Sequence, residues 1–287
     1  MVESLKTKPL LQAIVKIFRW DPYSIEQQIM TLWEIIVLAI VQGLTEFLPV
    51  SSSGHLVVAH NLLTALGGEP IDDLLEVEIV LHLGTLAAVL IYYRRECVRL
   101  LTSDRRAIPL LILATLPAVI VGFSVDKSIL ESPLLAGLMF PVTAVGLLWI
   151  SRRSPGEMEY TELKPKHALV IGVLQAFAIL PGISRSGATI VGGLACGLKR
   201  ESAAAFAFLM AIPVIGGGGL LTAVKAFKQG TTSTPPGTLA VGFLVSMVVG
   251  WVALTLLIHW VRQGRLAMFA YYLVPLGVAV VVWQLVI

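Results

Sequence analysis

The chain has 287 residues, 56% of them hydrophobic and only 14% charged, with a mean hydropathy of +0.86. Soluble globular chains carry about 25% charged residues, so this composition excludes a soluble enzyme, a disordered regulator and a nucleic-acid reader. The net charge of +3 is small and sits in loops, where it bears on membrane orientation.

Residues 1–23 do not read as a signal peptide. The apolar stretch at 10–20 is interrupted by Gln12, Lys16 and Arg19, and no small-residue cleavage site follows. It is compatible with an amphipathic helix on the membrane surface. Spanning helices need about 20 mostly apolar residues. Candidates follow in order at 31–48, 77–93, 108–125, 133–150, 167–180, 203–226, 238–261 and 266–287. Two more apolar segments, 51–66 and 182–198, are short and have Pro, Gly and Ser around their starts. They read as broken or re-entrant helices, which survive at membrane depth only where protein buries them or they line a cavity. The expected fold is therefore an all-α polytopic membrane protein with about eight spans and two broken segments. Cys97 and Cys196 have neither metal spacing nor a disulfide pattern.

Arginines crowd two loops, at 94–106 and 152–153, the second joined by Lys164 and Lys166. The loop at 67–76 carries four acidic residues and no basic one. The positive-inside rule places the basic loops in the cytoplasm and the acidic loop outside. Lys225 and Lys228 fit that count less well.

A weak repeat sets QGLTEFLPVSSSGHL (42–56) against QAFAILPGISRSGAT (175–189), with Gly182 as an inserted residue. The halves run over about 31–151 and 167–287. An odd number of elements per half gives them opposite orientation, an inverted repeat with its site where the broken segments meet.

The first motif places Gln42 and Glu46 on one helical face. Pro49 breaks the helix, and Ser51, Ser52, Ser53, Gly54 and His55 follow. A carboxylate near a bilayer centre costs roughly 2.5–3.5 kcal/mol on insertion scales, so Glu46 needs a partner. The second motif holds Ser184, Arg185, Ser186 and Thr189 between flexible glycines. Its guanidinium and helix-start N–H groups suit phosphate oxygens. The plainer readings are that Glu46 caps a re-entrant helix and that Arg185 only locks the halves together through Glu46. His82 and His60 read as buried structural histidines at least as readily as site members. The run at 216–219 permits close helix packing or a local break; no Lys-Ser/Thr pair follows it, so it is not a phosphate loop.

These two motifs, with HLGTLAAVLIYYRR (82–95), resemble the BacA/UppP-type undecaprenyl-diphosphate phosphatases of bacteria, and the helix pattern extends the likeness over 31–287. Residues 1–30 stand apart as an N-terminal extension. The resemblance implies hydrolysis of undecaprenyl diphosphate to undecaprenyl phosphate and inorganic phosphate. That reaction recycles the lipid carrier of peptidoglycan synthesis and is associated with bacitracin resistance. It also implies a bacterial plasma-membrane enzyme opening to the outer face, with a divalent metal, Mg²⁺ or Ca²⁺, near Glu46. Glu46 matches the acidic motif residue, Ser52 and His55 the first-motif catalytic candidates, and Ser184, Arg185 and Ser186 the second motif. Where many members carry a first Glu, this chain has Gln42, which can act only as a neutral hydrogen-bonding group.

The expected mechanism has Arg185, Ser184, Ser186 and nearby N–H groups holding the diphosphate, with Gln42, Ser51, Ser53 and Thr189 as further phosphate-binding candidates. Ser52 is the candidate nucleophile with His55 as base; direct attack by water with the same base is the alternative. Expected partners are undecaprenyl diphosphate and the lipid bilayer, with a homo-oligomer allowed and no nucleic acid. The rival class is a transporter or flippase of polyprenyl phosphate or another anion, which broken helices suit equally.

Overall fold

The computed structural model describes residues 22–65, 74–229 and 234–286. Nearly every described residue outside short turns is helical, and each apolar run of the sequence becomes a helix. In chain order these are α1 (Pro22–Phe47), α2 (Ser52–Ala65), α3 (Leu74–Tyr92), α4 (Arg94–Leu101), α5 (Ala107–Gly122), α6 (Lys127–Leu130) and α7 (Pro133–Ser151). A 3₁₀ turn at Tyr160–Glu162 leads to α8 (Pro165–Phe177), α9 (Arg185–Ala195), α10 (Arg200–Gln229), α11 (Pro236–Arg262) and α12 (Ala267–Val286). Residues 22–30, assigned above to an extension, form the first turns of α1. The surface helix expected at 10–20 and most of the acidic loop lie outside the described residues.

Among the described residues, Pro133–Ser151, Arg200–Gly219, Pro236–Arg262 and Ala267–Val286 are long and apolar enough to cross a membrane. A fifth span arises if Val77–Tyr92 and Arg94–Leu101, bent by 76°, count together. The fold is therefore an all-helical membrane protein with four or five spans by length and composition, fewer than the eight expected. For two of the missing spans the physical source is length. α8 has 13 residues and α5 has 16, below the ~20 that a bilayer core requires. α2 and α9, with 14 and 11 residues, are the two short broken segments.

Lipid offers no hydrophobic drive for helix association, so close packing must supply it, and small residues bring the backbones together. α1 meets α11 at Gly43, where an added Cβ would lie 3.0 Å from the Gly250 nitrogen. α8 meets α5 at Gly172, against the Ala114 carbonyl, and α7 meets α12 through Gly137 and Gly277. Phe47, Phe140 and Phe206 fill the interior, while Phe123, Val145 and Leu285 face outward from apolar helices.

The two basic loops lie at the same end of the bundle. Tyr160 Oη donates to Asp104 Oδ2 at 3.2 Å, tying the loop after α4 to the linker after α7. Burial and the neighbouring Asp104 push the Tyr160 phenol up to about 12. The same linker is anchored by Glu159, which accepts hydrogen bonds from Ser202 Oγ and Lys199 Nζ. Those bonds lower the Glu159 carboxyl below its usual range.

Candidate active site

Two helix breaks with the same local chemistry meet in the middle of the molecule. α1 ends at Phe47, and Ser51 turns the chain with φ 73° before α2 begins at Ser52. α8 ends at Phe177, and Gly182 turns the chain with φ 90° before α9 begins at Arg185. Positive φ suits Gly182 and is costly at Ser51. Hydrogen bonds hold Ser51 there: its Oγ accepts from the Gly182 N–H at 3.0 Å and the Gly54 N–H at 3.4 Å. Ser184 caps α9 in the corresponding way, accepting from the Gly187 N–H at 3.0 Å. Ser51 pairs with Ser53, and Ser184 with Ser186, at 3.3 and 3.0 Å.

The breaks also touch each other. Ser186 Oγ donates to the Leu48 carbonyl at 3.1 Å, answering the Gly182-to-Ser51 bond. A Cβ on Gly54 would lie 2.8 Å from the Gly182 nitrogen. Thr143 of α7 clamps the second break, donating to the Gly182 carbonyl at 2.9 Å and accepting from the Ser184 N–H at 3.0 Å. An isosteric Thr143→Val change strands both groups, and an unmade buried bond costs about 1–3 kcal/mol. We expect the purified variant to unfold several degrees lower in a thermal scan. An unchanged midpoint would contradict the clamp.

Glu46 sits at the junction. Arg185 Nη2 donates to its Oε1. Its Oε2 accepts from Ser52 Oγ at 2.7 Å and Gln42 Nε2 at 2.9 Å, with His82 Nε2 at 3.5 Å. Ser52 and Arg185 occupy equivalent places in the repeat, the first residues of α2 and α9, so both helix starts aim at one carboxylate. Glu46, Ser51, Ser52, Ser53 and Arg185 line a single cavity of about 350 Å³. Gln42 lies behind Glu46, fully buried, and its Oε1 has no hydrogen-bond partner among the described residues.

Besides Gln42, four more sequence candidates lie off the cavity wall. Ser184, Ser186 and Thr189 are buried off the cavity wall. Their hydroxyls serve the backbone, Thr189 by donating to the Arg185 carbonyl at 2.8 Å. His55 is turned toward α7 and α12. Its Nδ1 lies 2.7 Å from the Ser51 carbonyl, which can only accept, so Nδ1 carries the proton. Nε2 then accepts from Tyr272 Oη at 2.8 Å, and the two rings stack with centroids 5.7 Å apart. Ser52 thus hands its hydrogen bond to Glu46 and not to His55.

The cavity wall contains three further polar residues: Glu78 and Gln175, which are not among the site candidates, and His82, which the sequence leaves open between a structural and a site role. His82 Nδ1 lies 2.6 Å from the Glu78 carbonyl, which leaves Nε2 facing Glu46. Glu78 and His82 are i and i+4 in the mostly apolar α3, a polar pair on one face that signals an inward side. With Gly182 as the inserted residue, Gln175 lies one position from the repeat counterpart of Gln42.

All this describes an all-helical membrane protein whose chemical groups ride on two broken helical segments closed over a buried carboxylate. The chain matches the model of the family described as bacitracin resistance protein BacA over residues 35–279, and it belongs to that family. It is 45% identical over 255 residues to the undecaprenyl-diphosphatase of Rhodopirellula baltica, covering 88% of this chain and 97% of that one. It is 38% identical over 267 residues to the undecaprenyl-diphosphatase of Alcanivorax borkumensis, covering 88% and 98%. The undecaprenyl-diphosphatase of Pelotomaculum thermopropionicum is 36% identical over 264 residues, covering 88% and 97%.

Proposed function

We propose that this protein is an undecaprenyl-diphosphatase, hydrolysing undecaprenyl diphosphate to undecaprenyl phosphate and inorganic phosphate. The observation that carries the reading is the Ser52–Glu46–Arg185 arrangement: a hydroxyl bonded to a carboxylate that is itself bonded to a guanidinium, all on one cavity wall. Ser52 Oγ attacks the terminal phosphorus, and Glu46 Oε2 accepts its proton. The bond from that phosphorus to the bridging oxygen breaks, and undecaprenyl phosphate leaves with the electron pair. Water then attacks the seryl phosphate and releases inorganic phosphate. Arg185 shares its planar fork between Glu46 and the diphosphate, where charge-assisted bonds are strongest. Gln42 orients the carboxylate as a neutral donor. His55 fixes α2 against α12, so Glu46 takes over the role of base expected of it. Ser184, Ser186 and Thr189 hold the Arg185 segment in place.

The oxygen donors Glu46, Ser52 and the unpaired Gln42 Oε1 suit a hard cation. Among the described residues no three His, Cys, Asp or Glu side chains cluster into a metal site. Mg²⁺ or Ca²⁺ would therefore be held by Glu46 together with phosphate oxygens of the substrate, as Mg²⁺ commonly is. When bound, it offsets charge on the leaving phosphate.

The membrane domain spans 31–287 as two inverted halves, about 31–151 and 167–287, with eight spanning elements. Helix pairing supports this. α1 packs on α11 as α8 packs on α5, and α3 with α10 and α7 with α12 pair across the halves. The site opens to the outer face of the bacterial plasma membrane. His82 lies ten residues before Tyr92, about 15 Å along α3, away from the basic loops that belong in the cytoplasm.

Purified protein in detergent is expected to release phosphate from undecaprenyl diphosphate, and a chelator to reduce the rate at least tenfold. Binding without release would favour the transporter reading. A rate indifferent to chelator would remove the metal.

A further inference from the structure

The cavity that holds Glu46 and Arg185 has a second, apolar half, walled by Ile79, Ala118, Ile179 and Ile215 and bounded by α10 at Gly218 and Gly219. The four glycines at 216–219 divide by face. A Cβ on Gly219 would press to 2.7 Å from Leu83 Cδ2, and one on Gly216 would come within 3.8 Å of Leu86 Cδ2. Packing against α3 accounts for this pair. Gly217 and Gly218 are different: both are exposed, and a Cβ on either meets no atom within 4 Å. Each glycine in a helix costs about 1 kcal/mol relative to alanine, and at 217 and 218 no contact among the described residues returns that cost.

A second observation points to a ligand in the same cavity. Gln175 lines it, is only 2% exposed, and donates through Nε2 to the Ala114 carbonyl at 3.2 Å. Its Oε1 has no hydrogen-bond partner among the described residues. Such a buried acceptor calls for a hydrogen-bond donor from within the cavity, and a protonated phosphate or a water beside it supplies one. The cavity thus fits a molecule with a phosphate end and an apolar end. At roughly 30 Å³ per carbon, taking the volume of a water-sized group, eleven isoprene units need far more space than about 350 Å³. Most of such a tail must lie outside.

We propose that the isoprenoid tail leaves the cavity across the bare backbone of Gly217 and Gly218, which makes these two positions the determinants of tail acceptance. The proposal rests on the hydrolase reading for its substrate and adds the path of the chain.

Gly218→Leu, Gly217→Leu and the milder Gly218→Ala test it. Each new Cβ points into open space, and thermal scans verify folding. The readout is the ratio of kcat/KM for undecaprenyl diphosphate to that for dimethylallyl diphosphate, whose five-carbon tail, about 150 Å³ by the same measure, ends within the cavity. The ratio is expected to fall at least tenfold in each leucine variant and by less in Gly218→Ala. An unchanged ratio in both leucine variants, whether the two rates hold or fall together, would overturn the tail path. If the wild type hydrolyses neither substrate, the hydrolase reading fails separately. The same ratio is then taken from binding of undecaprenyl phosphate and dimethylallyl phosphate, and it decides the tail path by the same criterion.

Discussion

Ser52→Ala is expected to lower phosphate release from undecaprenyl diphosphate by about three orders of magnitude or more, as loss of a nucleophile does elsewhere. The structure makes this a clean experiment. Ser52 contributes one hydroxyl at the start of α2, and its removal leaves Glu46 still bonded to Arg185 and Gln42. The break itself is held by Ser51, Thr143 and Ser186, so the variant should fold and bind substrate with KM nearly unchanged. Single-turnover phosphate release separates the two effects. Retention of a tenth or more of the wild-type rate would shift the attack to water, with Glu46 as base.

Arg185→Lys has the second large expected effect. It keeps the charge beside Glu46 and removes the planar fork. Charged hydrogen bonds contribute about 1.5–3 kcal/mol each, so losing one from the diphosphate raises KM about tenfold to a hundredfold. If Arg185 served only to lock the halves together, the same change would lower the unfolding temperature and leave KM alone. Arg185→Ala is less informative, because it strands a buried carboxylate, at about 3–5 kcal/mol.

The sequence made some of this legible and concealed the rest for physical reasons. Helix positions followed from hydropathy, because each apolar run has to bury or face lipid along its length. Pro49 and Gly182 marked the breaks, since one cannot continue a helix and the other tolerates positive φ. The pairing of Glu46 with Arg185 was readable as an expectation: each is a lone charge in an apolar run, and each needs a partner. The direction of His55 was not readable. Its ring is set by the turn at Ser51 and by Tyr272, 217 residues away. His82 stayed open between a structural and a site role because only tertiary packing brings α3 beside the end of α1. The i, i+4 spacing of Glu78 and His82 was the available signal. Gln175 stood in the repeat segment ahead of the second motif, and its unpaired oxygen becomes visible only once its amide nitrogen is seen bonded to α5. The run at 216–219 could be read as packing or as a break, and the structure divides the four glycines between α3 and open space.

Three hydroxyls of the second motif show the same limit. Ser184, Ser186 and Thr189 have the chemistry of phosphate ligands, and a serine that caps a helix has identical chemistry. The choice between them depends on which backbone groups the break leaves unpaired, and here it leaves the Gly187 N–H for Ser184 to cap. Ser51 shows this most clearly, lining the cavity while its Oγ holds the Gly182 N–H.

Hydrolysis by this protein requires one diphosphate to be gripped where the two breaks meet. A structure of the protein in a lipid nanodisc with a non-hydrolysable methylene analogue of undecaprenyl diphosphate measures this directly. The account predicts the terminal phosphonate within hydrogen-bond reach of Arg185 and Ser52, with the tail passing Gly218. Density for the headgroup at any other surface, with the Glu46–Arg185 pair closed and unoccupied, would contradict it.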